Sequence, residues 1–171
     1  MAKKPRPNLG EVEPWLAAWF ALHPDVDREA IATVGRVIRL HPAWDRFRTP
    51  ILASLGVTTE VSDLIITLYR AGRPHELNPS ALAAGATVTS GAMTYRIDAA
   101  ERLGLVERVA DPKDRRGTIV RLTKKGKQTA QRDFELHVER MREVLDDFTA
   151  EEVATLLPLL GRLLAAIARH G

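Results

Sequence analysis

Two short runs near the middle of the chain constrain its fold most. Leu105-Val106-Glu107-Arg108-Val109 and Thr118-Ile119-Val120-Arg121-Leu122 carry strand-like patterning, while the apolar residues before and after them recur at helical spacing. The stretch that joins them, Ala110-Asp111-Pro112-Lys113-Asp114-Arg115-Arg116-Gly117, is charged and rich in turn residues, so it predicts a hairpin with an exposed tip. A helical chain interrupted once by a hairpin leaves few architectures open.

The helical segments are punctuated by residues that start and stop helices. After a basic tail at residues 1–8 that is read as disordered, Leu9 to Leu22 places Val12, Trp15, Leu16, Trp19, Phe20 and Leu22 on one face. Asp27 is placed to cap a long helix through Ile31, Val34, Val37, Ile38 and Leu40, which Pro42 and Pro50 are expected to kink or split. Thr58 or Thr59 opens a shorter helix carrying Val61, Leu64, Ile65 and Leu68, and Ala71-Gly72-Arg73-Pro74 stops it. Asn78 and Pro79 fit the cap and first position of the next. Thr87 or Thr89 begins a helix with Met93, Ile97, Ala100 and Leu103 facing inward, ended by Gly104. Beyond the hairpin, Thr123 caps a long helix with Ala130, Phe134, Val138, Met141, Leu145 and Phe148 on its apolar side. Thr149-Ala150-Glu151-Glu152 is a capping box for a final helix expected to bury Val153, Leu156, Leu157, Leu160, Leu163, Leu164 and Ile167, either in a monomer core or, because the apolar face is wide, in a seam with a second copy.

Composition narrows the function classes. With 171 residues, 45% of them hydrophobic, the chain can bury one sizeable core, and only 5% aromatic residues disfavours an all-β fold. The absence of cysteine removes disulfides, thiolate nucleophiles, Cys-ligated zinc and iron–sulfur clusters. No nucleophile elbow, metal motif, phosphate loop or dinucleotide fingerprint is present, so neither an enzyme nor a cofactor is expected. The basic N-terminus is followed by Glu11 and Glu13, which no secretory signal tolerates in its core. The most apolar stretch, Val153 to Ala168, contains Pro158, Gly161 and Arg162 and is shorter than the roughly 20 residues of a membrane span. The expectation is a cytoplasmic protein with no membrane partner.

Two short helices separated by a turn and followed at once by a hairpin make a winged helix-turn-helix, because the major groove of duplex DNA admits one helix and a flanking hairpin reaches the backbone or minor groove beside it. The fold class is therefore mainly α, a winged helix-turn-helix with a two-stranded wing; the helices outside it are expected to form a helical dimerisation domain, a part that rests mostly on family resemblance. Its parts are a tail at 1–8, N-terminal helices at 9–54, the DNA-binding lobe at 55–123 and C-terminal helices at 124–171. Thr89, Ser90, Thr94, Tyr95 and Arg96 lie off the apolar stripe of the reading helix and are the major-groove candidates. Lys113, Arg115 and Arg116 are the wing candidates. Charge is distributed to match. The net +3 of the whole chain resolves into +7 over Lys113 to Arg132 and −6 over Asp133 to Glu152.

These residues resemble the MarR (multiple-antibiotic-resistance regulator) family. The resemblance rests on Glu101-Arg102-Leu103-Gly104-Leu105-Val106-Glu107-Arg108, on Asp111-Pro112-Lys113-Asp114-Arg115-Arg116, and on Val120-Arg121-Leu122-Thr123-Lys124-Lys125-Gly126. It implies a homodimer formed by the first long helix and the last two helices, each subunit reading half of a pseudo-palindromic duplex. It also implies that Asp114 orients the hairpin arginines and that Arg116 enters the minor groove or clasps phosphate. The added N-terminal helix is similar to that of a urate-responsive subgroup. In that likeness Trp19, Asp63 and Arg96 take the ligand-site positions, with Arg108 a fourth match and Trp15 a competitor for the tryptophan place. The implied effector is a small anionic aromatic molecule such as urate that stacks on Trp19, pairs with Arg96 and repels Asp63, releasing a repressor from DNA. Three other readings stay open. The tryptophans serve packing alone, Asp63 and Arg96 form a plain ion pair, or the effector is a different phenolic or antibiotic-like compound. An adaptor using a winged helix for protein contacts is the rival class without DNA binding.

Overall fold

The computed structural model describes residues 13–86, 88–112 and 114–170. Seven helices and three short strands follow one another as α1 (Pro14–Leu22), α2 (Arg28–Leu55), α3 (Thr59–Arg70), β1 (Glu76–Leu77), α4 (Pro79–Ala86), α5 (Ser90–Arg102), β2 (Val106–Asp111), β3 (Asp114–Leu122), α6 (Lys124–Leu145) and α7 (Ala150–His170). They divide into two compact units, Met1–Thr49 and Pro50–Gly171.

In the first unit α1 packs on the start of α2 through Leu16, Phe20 and Ala32. Glu13 accepts from Arg36 Nε and Nη2 at 3.0 and 2.8 Å, and that hydrogen bonding holds the Glu13 carboxyl below its usual range. Trp15 is fixed between helices. The Arg39 guanidinium lies 5.1 Å over its ring, and a Cβ at Gly35 would sit 2.5 Å from the indole. Asp27 caps α2 as expected, accepting from the Ala30 amide at 3.0 Å. Pro42 and Pro50 do not split that helix, which runs unbroken over 28 residues. Each proline removes one amide donor, and the residues four positions earlier, Ile38 and Arg46, are exposed, so water can take the freed carbonyls. Val12 and the rest of residues 9–12, expected in α1, lie outside the described residues.

The second unit is built on one core. Val61, Leu64, Ile65 and Leu68 of α3 meet Leu82 of α4, Met93, Ile97 and Ala100 of α5, Leu105 and Val106 at the start of β2, Val120 and Leu122 of β3, and Ala130 of α6. Its caps obey local rules. Thr58 accepts from the Val61 amide, Asn78 from Ala81, Thr89 from Ala92 and Thr123 from Gly126. Thr149 and Glu152 form a reciprocal capping box, with Thr149 N donating to Glu152 at 2.8 Å and Glu152 N donating back at 3.2 Å. The sheet is antiparallel in the order β1-β3-β2, so the two-stranded wing expected from sequence gains a third strand at its root. Two residues are too few to show a period, which is why β1 escapes a reading by pattern.

Burial departs from expectation beyond the hairpin. Of the α6 stripe only Ala130 is buried, while Phe134, Met141, Leu145 and Phe148 are exposed and Val138 is intermediate. No residue of α7 is buried in the single chain, so the seven apolar side chains of its expected face are not covered by this chain's own core. Leu103 of the α5 stripe also lies at the surface. Among the described residues no single helix is long and apolar enough to cross a membrane.

Candidate nucleic-acid interface

The helix expected to read the groove is α5. Its inner face is pinned by Met93, Ile97 and Ala100, which leaves Thr89, Ser90, Gly91, Ala92, Thr94 and Tyr95 exposed at its N-terminal half. Tyr95 is the extreme case, an aromatic ring 67% exposed on a helix whose opposite side is sealed. Such a ring has lost little of its contact area to the protein and can offer it to a partner. The two threonine hydroxyls are partly committed. Thr89 accepts from Ala92 N at 3.2 Å, which keeps its proton free to donate to a phosphate. Thr94 donates to Ser90 O at 2.9 Å, which keeps its lone pairs free to accept. Arg96 is half buried at the edge of this surface.

The wing leaves the end of α5 through Gly104, whose φ of +69° makes the tight turn accessible. Val106 to Ala110 pair in register with Leu122 back to Thr118, and a bulge between Ala110 and Asp111 sets Asp111 opposite Asp114. A Cβ at Gly117 would lie 3.0 Å from the Asp111 side chain, so glycine lets the tip close. Arg115 and Arg116 belong to β3, but their side chains and all of Lys113 lie outside the described residues.

The root of the wing is clamped by the start of α6. Thr123 Oγ1 donates to Gly104 O at 2.7 Å, Thr123 N to Leu105 O at 3.0 Å, and Lys125 Nζ to Leu103 O at 2.8 Å. At the same root Arg121 Nε donates to Glu76 Oε2 at 2.6 Å. Of the cations in the +7 stretch, Arg121 ties β3 to β1 through Glu76, while Lys125, which caps α5, and Arg132, 3.6 Å from Glu135, stay at the surface.

The acidic stretch needs one correction. Asp133, counted with the solvated charges of α6, is fully buried. It accepts from Ser62 Oγ of α3 at 2.6 Å, and His137 Nδ1 lies 2.7 Å from its Oδ1 and 2.9 Å from its backbone oxygen. The Ser62–Asp133 bond ties the helix before the reading pair to α6, and no local pattern could announce it because 71 positions separate the two residues. Ser62→Ala is expected to lower stability by about 1–3 kcal/mol, since the buried carboxylate loses a donor. A urea midpoint that falls with an unchanged slope is the expected readout.

The residues matched to a ligand site fall into both units. In the first, Trp15 is the packed tryptophan, while Trp19 is 51% exposed and stacks on His23 at 5.8 Å. In the second, Asp63 is half buried on α3 and Arg96 is on α5. Arg108 of β2 donates to Asp98 and to Glu101, both on α5.

The pair α4 and α5 packed on α3, an exposed polar end on α5 and a hairpin rooted beside it define a winged helix-turn-helix protein. The family model described as the MarR family matches residues 55–117. The chain is 30% identical over 153 residues to the HTH-type transcriptional regulator PecS of Dickeya dadantii, covering 90% of this chain and 92% of that protein. It is 30% identical to the multiple antibiotic resistance protein MarR of Escherichia coli, covering 78% and 92%. A crystal structure of a mutant E. coli MarR complexed with operator DNA superposes with a TM-score of 0.68 at 28% identity, covering 82% of this chain and 99% of that one. The chain belongs to the MarR family of transcriptional regulators and carries its winged helix-turn-helix.

Proposed function

We propose that this regulator is a homodimeric repressor that reads a pseudo-palindromic operator and is released by a small anionic aromatic ligand such as urate. The observation that carries the dimer is the apolar face of α7, where Leu157 is 65% and Leu164 is 70% exposed in the single chain. Contiguous apolar surface of this kind on a charged protein calls for a partner, and a second copy supplies the symmetry that two half-sites require. Each subunit lays the N-terminal half of α5 in the major groove, with Thr89, Ser90, Thr94, Tyr95 and Arg96 at base edges and phosphates. The wing places Lys113, Arg115 and Arg116 on the flanking backbone or minor groove, with Asp114 orienting the arginines.

Arg116→Ala is expected to weaken operator binding by about 1–3 kcal/mol and to reduce the salt slope by about 1. Gel-shift titrations at several salt concentrations measure both.

The ligand reading rests on Trp19, an exposed indole with a face to offer, and on Asp63 and Arg96 as the opposed charges. Ligand releases DNA if it binds the DNA-incompetent conformation more tightly. In the wild type, urate is expected to quench tryptophan fluorescence and dissociate the operator. Trp19→Phe and Asp63→Ala are expected to blunt release while leaving operator affinity intact. A wild type that urate neither quenches nor releases contradicts the urate assignment and leaves the operator reading standing.

A further inference from the structure

We propose that Arg108 is a positioning residue for operator binding: it masks two carboxylates on the flank of the reading helix that otherwise repel phosphate. The inference rests on α5 being the groove helix. Over Ser90–Arg102 that helix carries Arg96 and Arg102 against Asp98 and Glu101, so alone it brings no net charge to a polyanion. Asp98 and Glu101 stand three positions apart on one flank. Arg108 reaches across from β2, with Nη2 donating to Asp98 and Nη1 to Glu101. The hydrogen bond it donates to Asp98, with the nearby carboxylate charges, raises the affinity of the guanidinium for its proton against a partial desolvation.

All three side chains keep solvent contact, 32% for Arg108, 45% for Asp98 and 41% for Glu101. Exposed pairs of this kind add little to folding stability. Their influence falls on what approaches. Phosphates of a bound duplex come within a Debye length, about 8–10 Å, of the helix flank, so solvent does not fully screen two bare carboxylates there. With Arg108 in place the helix and its clasp carry one net positive charge; without it the carboxylates face the duplex unmasked.

Binding of the full chain to an operator duplex obtained by selection, followed by fluorescence anisotropy at several salt concentrations, tests this. Arg108→Gln is expected to weaken binding about 10-fold, and Arg108→Gln with Asp98→Asn and Glu101→Gln to recover to within about 3-fold of wild type. Asp98→Asn with Glu101→Gln, keeping Arg108, frees a cation beside the groove and is expected to steepen the salt slope by about 1. Arg108→Gln binding like wild type overturns the proposal, and so does a triple variant as weak as Arg108→Gln, which would make clasp geometry the cause. If Arg108→Gln fails to fold by circular dichroism, the two-carboxamide variant decides, and an unchanged slope overturns the proposal. Tyr95→Ala separates the premises. Unchanged affinity there removes α5 from the groove and this inference with it, whereas weakened binding beside a flat Arg108 series removes the masking role alone.

Discussion

Gly126→Val is expected to abolish operator binding by destroying the root of the wing. A Cβ at position 126 would lie 1.9 Å from the Leu105 carbonyl oxygen and 2.8 Å from its carbon, and both are backbone atoms that no rotamer change can move. The crowded turn is also where Thr123 donates to Gly104 O and Lys125 to Leu103 O, so a displaced α6 releases the end of α5 and the start of β2 together. Leu105, Val106 and Leu122 all belong to the core at that point. Overpacking of cores typically costs about 1–3 kcal/mol, and a backbone collision that cannot relax costs more. The variant is expected to melt far below wild type, and Gly126→Ala to show the same loss in milder form. Gly126 therefore differs in kind from Gly161 of α7, where an added Cβ meets nothing within 4 Å and Gly161→Ala is tolerated in the single chain.

The second large effect is expected from Leu157→Glu combined with Leu164→Glu. Both side chains are well exposed in the single chain, so charge there leaves the subunit fold intact. The face they share is the proposed seam between copies, and two buried carboxylates without partners are incompatible with it. Sedimentation is expected to show a folded monomer. Operator affinity is expected to fall by about 100-fold or more, because linking two half-site readers raises affinity by about 10²–10⁴ over one alone. A variant that sediments as a dimer places the seam elsewhere.

What the sequence disclosed follows the range of the forces involved. Helix starts were legible at Asp27, Thr58, Asn78, Thr89, Thr123 and Thr149 because a cap is a contact within three residues. The hairpin was legible because its alternation and turn chemistry are equally local. Long-range pairings were not. Ser62 with Asp133, Glu76 with Arg121 and Arg108 with two residues of α5 depend on packing that no window of sequence contains. The same blindness hid the pairing of Arg121 with Glu76 and turned a buried Asp133 into an apparent surface acid. The apolar stripe of α7 was legible as apolar, but hydrophobic spacing cannot say whether its cover comes from the same chain. Pro42 and Pro50 were read as able to kink or split the helix, and the split does not occur in a helix that continues over 28 residues with Ile38 and Arg46 exposed.

Selection of bound fragments from random duplex DNA, with the number of chains per selected duplex counted by sedimentation, tests the central claim most directly. The expected result is two inverted half-sites about one helical turn apart, 10–10.5 bp between centres, occupied by two chains. An asymmetric site filled by a single chain would contradict the account.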